Sequence, residues 1–459
     1  MNVVRRLFSA RLKSPSRPVG LACGSRAILQ TRWLTDGPAG ADAAAAIPAR
    51  VERSGVAALP GRRLISVSGP DAAKFLNGAV TAEITSGGAW VPMQYAGFLT
   101  ARGRVLTDVF IYADVLGVGR GEPDASFLIE VDANHAPLLA SHIKKYQLRA
   151  KFTTRVLDDG EVGLWAAWDG SEDGPVLDQD ALQGYYDGQV VAAPDARLAQ
   201  LCSRILAHDS SKSPAAALGV ADVAPEAYRL RRYLHGIAEG QAEIVCAQAL
   251  PMEVNMDLLG GINFKKGCYV GQELTIRTRH RGVVRKRLLP CVVYEARDEA
   301  PPAPAQLAYA GDRDLAGPVP RNTDIYRVAK RRIRPTGKWI AGVGNIGLAL
   351  CRVDAMAGLE IPGEDADAPA TYNPFAEFDI KFQVDGKVPV EVPVGSPDGI
   401  KEGPVGEDGK PITEVRWYDG KVDQTVRVKP FVPEWMVRGL NEQLKKPAEA
   451  AGQIEEVDE

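Results

Sequence analysis

One cysteine in this sequence sits where a thiol could do chemistry. The stretch Gly260-Gly261-Ile262-Asn263-Phe264-Lys265-Lys266-Gly267-Cys268-Tyr269-Val270-Gly271-Gln272-Glu273 ends one element on two glycines and alternates Ile262 and Phe264 like a short half-buried strand. It then brackets Cys268 and Tyr269 between Gly267 and Gly271. Glycines on either side of a thiol suit a tight bend that lets another backbone or a ligand come close. Lys265 and Lys266, with Arg277, Arg279, Arg281, Arg285, Lys286 and Arg287 behind them, would favour the thiolate if they approach it in space. A packed turn around an inert, buried thiol would use the same residues.

A second candidate lies upstream. Pro225 opens a helix on which Leu230, Tyr233, Leu234 and Ile237 share one face and Tyr228, Arg231, Arg232 and His235 another, at spacings that align side chains. An aromatic ring beside cations suits a planar anionic ligand, stacked on the ring with its carboxylates paired to guanidiniums. A merely solvated face would read the same way. His142, on the apolar stripe of a helix over 134–148, reads as a core residue rather than a catalyst.

The thiol stretch carries a resemblance. Lys266-Gly267-Cys268-Tyr269-Val270-Gly271-Gln272-Glu273, preceded by Asn255-Met256-Asp257 and followed by Arg277 and Arg281-Gly282, resembles the K-G-C-Y-x-G-Q-E box of the YgfZ-type folate-binding iron–sulfur cluster assembly factors. That family is related to the T-protein (aminomethyltransferase) of the glycine cleavage system. Stretches near Lys74-Phe75-Leu76-Asn77, Tyr95 to Tyr112, Tyr228 to Gly240 and Gly342 to Arg352 extend the likeness over residues 60 to 390.

The resemblance implies an α+β, aminomethyltransferase-like folate-binding fold with two intertwined α+β subdomains and a C-terminal β-barrel. It implies a mitochondrial matrix factor that assists four-iron cluster assembly and the maturation of cluster enzymes, with mitochondrial iron–sulfur assembly proteins as partners. The implied ligand is tetrahydrofolate or a derivative, and no stably bound metal is expected. The cofactor-binding set so implied is Tyr228, Arg231, Arg232, Lys266, Gly267, Tyr269, Gly271, Gln272, Glu273 and Arg277, with Cys268 as the functional thiol.

One departure bears on activity. Aminomethyltransferases carry a G-G-x-x-D-D stretch, where this chain has Arg102-Gly103-Arg104-Val105-Leu106-Thr107-Asp108, with Thr107 in place of one acid. Losing that carboxylate should disable proton transfer and leave binding intact, so an assembly factor is expected over an active transferase. A folate-dependent aminomethyltransferase is one alternative. An RNA-binding or tRNA-modification-linked protein, resting on Arg277 to Arg287, is another.

The rest of the chain must position these residues. Its 459 residues allow two or three domains, and its 45% apolar and 25% charged content is that of a soluble globular protein. No apolar run approaches the roughly eighteen residues of a membrane span. Cys23, Cys202, Cys246, Cys268, Cys291 and Cys351 form no C-x-x-C pair, which argues against a zinc ribbon or a self-contained iron–sulfur cage. The first 35 residues hold seven Arg or Lys and no acid, the composition of a mitochondrial transit peptide. Without those seven charges the formal net charge goes from −3 to −10, which excludes general nucleic-acid binding and leaves any anion site as a local patch.

The expected order is a transit peptide over 1–35, an Ala-rich joint over 39–48, a folate-binding α+β region over 50–285, a barrel over 286–430 and a charged tail over 431–459. Within it, strands are expected at 64–67, 95–100, 104–112, 126–131, 151–156, 162–168 and 190–192. Helices are expected at 71–77, closed by Gly78, at 134–148, at 197–207 and after Pro225. Strands at 285–295, 340–352, 378–384, 387–394 and 422–428 would build the barrel, interrupted by a Pro/Ala-rich insert over 300–320. Residues 395–440 resemble nothing in the family.

Overall fold

The computed structural model describes residues 47–455, apart from 87–88, 91, 120–124, 172–173, 176, 297–302, 330–333, 360–371 and 394–412. The expected transit peptide, most of the Ala-rich joint and parts of the 300–320 and 395–440 segments lie outside the described residues.

The chain lays down β1 (Gly55–Ala58), β2 (Arg62–Ser68), α1 (Ala72–Ala79), the short pair β3 (Thr85–Ser86) and β4 (Ala89–Trp90), β5 (Met93–Leu99) and β6 (Val105–Ala113). Next come β7 (Ser126–Asp132), α2 (Ala136–Gln147), β8 (Thr153–Val156), β9 (Gly163–Trp168), α3 (Gln179–Tyr185), β10 (Val190–Pro194) and β11 (Ser203–Ala207). The first half ends with α4 (Ala215–Leu218), β12 (Asp222–Val223) and α5 (Pro225–Leu234). A long loop then leads to α6 (Gln272–Arg281), β13 (Lys286–Glu295), β14 (Asp324–Arg327), β15 (Gly337–Val343) and β16 (Ile346–Arg352). The chain closes with α7 (Val353–Met356), β17 (Phe378–Pro393), β18 (Thr413–Pro430) and α8 (Glu434–Glu455).

Two five-stranded sheets, ordered β10-β11-β9-β1-β12 and β5-β6-β7-β2-β8, share the first half. Consecutive strands β1 and β2 belong to different sheets, so the two α+β subdomains are interleaved from their first turn. Strands β13-β16-β15-β14-β17-β18 close the C-terminal barrel, and the long β17–β18 ribbon carries register from Phe378↔Val428 to Pro393↔Thr413. This is the expected α+β class with its barrel.

Burial follows from these layers. One apolar cluster fills the space between α1, α2 and the second sheet, with Leu76, Phe98, Ile129 and Ile143 inside it. A second fills the barrel around Trp339, Leu289 and Phe378. The largest joins the two sheets to α5 and the barrel wall through Tyr95, Trp168, Leu230, Met256 and Leu348.

Three local expectations are corrected. The expected helix over 197–207 ends instead in β11, whose residues are all buried between β10 and β9. A strand covered on both faces shows no alternation, and its apolar spacing passes for a helical stripe. Ile262 and Phe264 lie in irregular backbone, not a strand, and α1 runs through Gly78. In the 431–459 stretch, α8 seals one end of the barrel with buried Met436 and Leu440, and the Trp435 indole donates to the His235 carbonyl at 2.9 Å.

Candidate functional site

Among the described cysteines Cys268 is the exposed one; Cys202, Cys291 and Cys351 are buried and Cys246 is half-buried. The loop that carries it is pinned on both sides. The Asn263 N–H donates to the Thr81 carbonyl at 3.0 Å, and the Asn263 side chain donates to Glu83 and accepts from the Lys265 N–H. Beyond the thiol, the Val270 N–H donates to the Gly78 carbonyl at 3.2 Å. The Lys266 ammonium is spent on two carbonyls, Val80 at 2.9 Å and Ala82 at 2.6 Å, and also lies 5.4 Å from the centre of the Tyr269 ring. Burial brings its pKa down to about 8, with Glu83 pulling the other way.

The bend after Cys268 is built by two glycines in contact. Gly271 has φ of 81°, and a Cβ there would meet the Thr100 carbonyl at 2.4 Å and Gly103 Cα at 3.1 Å. Gly103, at the β5–β6 turn with φ of 74°, is hemmed in by Leu274 and the Gly271 carbonyl. Gly267 differs: a Cβ would meet nothing within 4 Å. Gln272 folds back so that its side-chain Oε1 accepts the Tyr269 N–H at 3.2 Å. Glu273 and Arg277 are exposed on α6, and Arg279 lies 5.2 Å from the Phe264 ring.

The α5 candidates are placed inside the molecule. This helix packs between β1 of the first sheet and barrel strands β15 and β16, so both its faces are covered. Tyr228 is 3% exposed; its hydroxyl meets Arg204 at 2.9 Å, Arg197 at 3.1 Å and Glu239 at 3.0 Å. Arg232 forms a two-pronged pair with Glu243 at 2.6 and 2.9 Å. Arg231 donates to the Leu201 and Gln200 carbonyls beneath the Trp168 ring. His235 is half-buried, and its pKa is pushed down to about 4 by burial and by Arg231.

Sequence reasoning missed the buried charge cluster to which Tyr228 belongs. Arg62 and Arg204 both bind Glu130, Arg197 binds Asp195 at 2.8 Å, and Arg197 and Arg204 share Glu239 at 2.8 and 3.1 Å. Burial pushes the Glu239 carboxyl up, but the surrounding guanidiniums outweigh it and hold the group well below the ordinary carboxylate range. Asp108 is the outlier. It is fully buried, accepts the Gly240 N–H at 3.1 Å, and stands 3.8 Å from Arg62 Nη1; burial raises its pKa despite Arg62. Thr107, at the position of the missing acid, accepts the Gln241 side-chain amide at 3.1 Å. Arg62 Nη1 and Gln241 Oε1 are buried without a hydrogen-bond partner. A hydrophobic flank around a lone Arg or Glu was the one signal available, and the pairs form across gaps such as the 74 positions between Arg204 and Glu130.

Among the described residues, no group of three or more His, Cys, Asp or Glu could hold a metal ion, and no helix is long and apolar enough to cross a membrane. The Cys268 thiol is exposed on a loop held by hydrogen bonds on both sides. The ionic cluster is buried, and Arg62 Nη1, Arg232 Nε and Gln241 Oε1 in and beside it lack hydrogen-bond partners.

Residues 285–376 match the family model described as the CAF17 C-terminal beta-barrel domain. The mitochondrial iron–sulfur cluster assembly factor IBA57 homolog of Pyricularia oryzae is 47% identical over 390 residues, which are 84% of this chain and 86% of that protein. The IBA57 homolog of Chaetomium globosum is 42% identical over 413 residues, 86% of each, and that of Neurospora crassa 42% over 403, 84% and 81%. Among solved structures, the glycine cleavage system aminomethyltransferase T of Bartonella henselae is a distant likeness, with a TM-score of 0.47 at 15% identity over 69% of this chain and 84% of that one. With whole-length relatives at these identities, the chain belongs to the family of the mitochondrial iron–sulfur cluster assembly factor IBA57.

Proposed function

We propose that this protein works in mitochondria as an assembly factor for four-iron clusters, and that Cys268 is the group that meets the cluster or the partner carrying it. The observation that carries this reading is the exposed thiol on a loop fixed by hydrogen bonds at both ends. A single sulfur cannot hold a cluster, so the partner supplies the other ligands and the complex is transient. Tyr269, Gly271 and Gln272 shape the bend, and Lys266 ties it to the chain between α1 and β3. Replacing the gene copy with Cys268→Ser should leave protein abundance unchanged and lower the activity of four-iron enzymes in isolated mitochondria several-fold. Normal activities at normal abundance would remove the proposal.

Folate binding is the finer part of this reading. Arg62 Nη1, 3.8 Å from Asp108, and Gln241 Oε1, on the side chain that meets Thr107, lack hydrogen bonds and with Asp108 would offer a donor, an acceptor and a carboxyl, a set suited to the amide edge of a pterin. Tyr228 and Arg232 would then position Arg197, Arg204 and Glu243 behind that edge, while Arg231 and Arg277 remain further from it in role. A bound tetrahydrofolate would supply a one-carbon carrier; the hydroxyl of Thr107 cannot replace a carboxylate in moving its protons. Adding tetrahydrofolate should raise the melting temperature of the purified protein, and Asp108→Ala should abolish that rise.

A further inference from the structure

Beside the thiol loop, α1 and the end of α2 enclose a groove of about 480 Å³. Phe75, Ala79, Ala150 and Val270 give it an apolar lining, and Val270 lies two residues from Cys268. Lys74 and Arg149 stand at its lip, and Lys144, Lys145 and Lys151 are exposed around it. Asp71, the one acid in the lining, is occupied in accepting the Lys151 N–H at 2.7 Å. This basic rim belongs to a chain whose net charge outside its first 35 residues is −10.

An apolar side chain is held out at the same edge. Leu148 is 88% exposed and has φ of 49°, a conformation that costs a branched residue energy. The turn is not frayed: the Gln147 side chain donates to the Ala150 carbonyl at 3.1 Å and the Phe152 carbonyl at 2.6 Å. The fold thus spends backbone strain to present a leucine to solvent beside an apolar groove.

We propose that this face docks a partner protein through an acidic surface carrying an apolar side chain that fills the groove, while Leu148 is buried against the partner. The inference rests on the assembly-factor reading, since it names the chemistry of the protein that Cys268 meets. Cations around an apolar socket fit such a surface by charge and by shape. Nucleic acid fits less well, because the nearby rings are already packed on neighbours, Phe75 on Phe152 with centroids 4.7 Å apart and Tyr146 on His142 at 4.6 Å, and neither projects from the surface as a platform for stacking bases. A concave socket with one projecting leucine is also unlike a surface made for lipid.

The test places benzoylphenylalanine at Lys151 in the full chain and irradiates isolated mitochondria, with the crosslinked species identified by mass spectrometry. The expected product is a protein joined through an acidic segment. Its yield should fall about tenfold in the Lys74→Glu, Arg149→Glu double variant and several-fold in Leu148→Ser, and a soluble glutamate-rich peptide with one central phenylalanine should compete. Crosslinks mainly to RNA or phospholipid, or protein crosslinks indifferent to charge reversal, overturn the proposal. Enzyme activities in the same mitochondria separate the two readings. If Cys268→Ser lowers them while charge reversal leaves the crosslink intact, the docking face is wrong and the function stands. If the crosslink obeys the charge reversal while Cys268→Ser leaves activities normal, the face is right and the function falls.

Discussion

At the scale of single residues, Lys266 sets the terms on which the thiol loop is anchored. The side chain is half-buried, and burial brings its pKa down from 10.5 to about 8. Below pH 8 the side chain is charged folded and unfolded, and the folded state carries the whole cost of burying it. Between pH 8 and 10.5 the unfolded chain binds the extra proton, so stability rises with pH across that window and levels off above it. The rise should be on the order of 1–2 kcal/mol after allowing for partial exposure. Urea denaturation of wild type and Lys266→Met at pH 7.5 and 10 should show it as a pH-dependent difference between the two; a difference that is the same at both pH values would mean that the ammonium keeps its ordinary pKa. The bend beside it was legible because glycine's need for positive φ is local, and Gly271 meets that need at 81°. The neighbouring assignment of Ile262 and Phe264 to a strand failed because two alternating residues without a partner strand are no more than a coil with one side buried.

At the scale of elements, α6 starts where it does because Gly271 and Gly103 let the helix N-terminus touch the β5–β6 turn. A methyl at Gly271 would run into the Thr100 carbonyl and force a side chain into left-handed backbone. Gly271→Ala should therefore cost about 1–3 kcal/mol. Gly267→Ala, one step before the thiol, where a Cβ meets nothing, should stay within about 0.5 kcal/mol. Equal effects on the denaturation midpoint would refute this division of labour between the two flanking glycines. The β5–β6 hairpin, α2 and most strands were readable because each is set by its own alternation or stripe. Others were not, and β11 and the faces of α5 show why. β11 is covered on both faces, and α5 is sandwiched between sheet and barrel, so the Tyr228, Arg231, Arg232 and His235 face that reads as open to ligand or solvent is turned into the interior.

At the scale of the molecule, the two sheets and the α5 region are locked together by ions. Arg62 and Glu130 come from the second sheet, Arg204 from the first, and Glu239 from the loop after α5. None of these pairs could be seen in the sequence: Arg62 meets Glu130 only through the pairing of β2 with β7, and Arg204 reaches Glu130 only because the two sheets are interleaved. Asp108, Glu130, Asp195 and Glu239 face Arg62, Arg197 and Arg204, so removing one cation leaves buried carboxylates without compensation. Arg204 is the sharpest case. It touches Glu130, Glu239 and Tyr228 and lies 3.9 Å from the Phe110 ring centre. Arg204→Met keeps much of the volume and should cost about 3–5 kcal/mol at pH 7. In the wild type Glu239 is held below 4.5, so its contribution is present above that value and is lost as pH falls through the folded pKa. In the variant Glu239 keeps Arg197 at 2.8 Å but loses Arg204, so its folded pKa rises toward the unfolded value and less stability is lost on acidification. The stability gap between Arg204→Met and wild type should accordingly be smaller at pH 4 than at pH 7. A loss under about 1 kcal/mol, or an equal loss at both pH values, would mean that the sheets are held together by their apolar layer and that the ionic cluster is incidental to the fold.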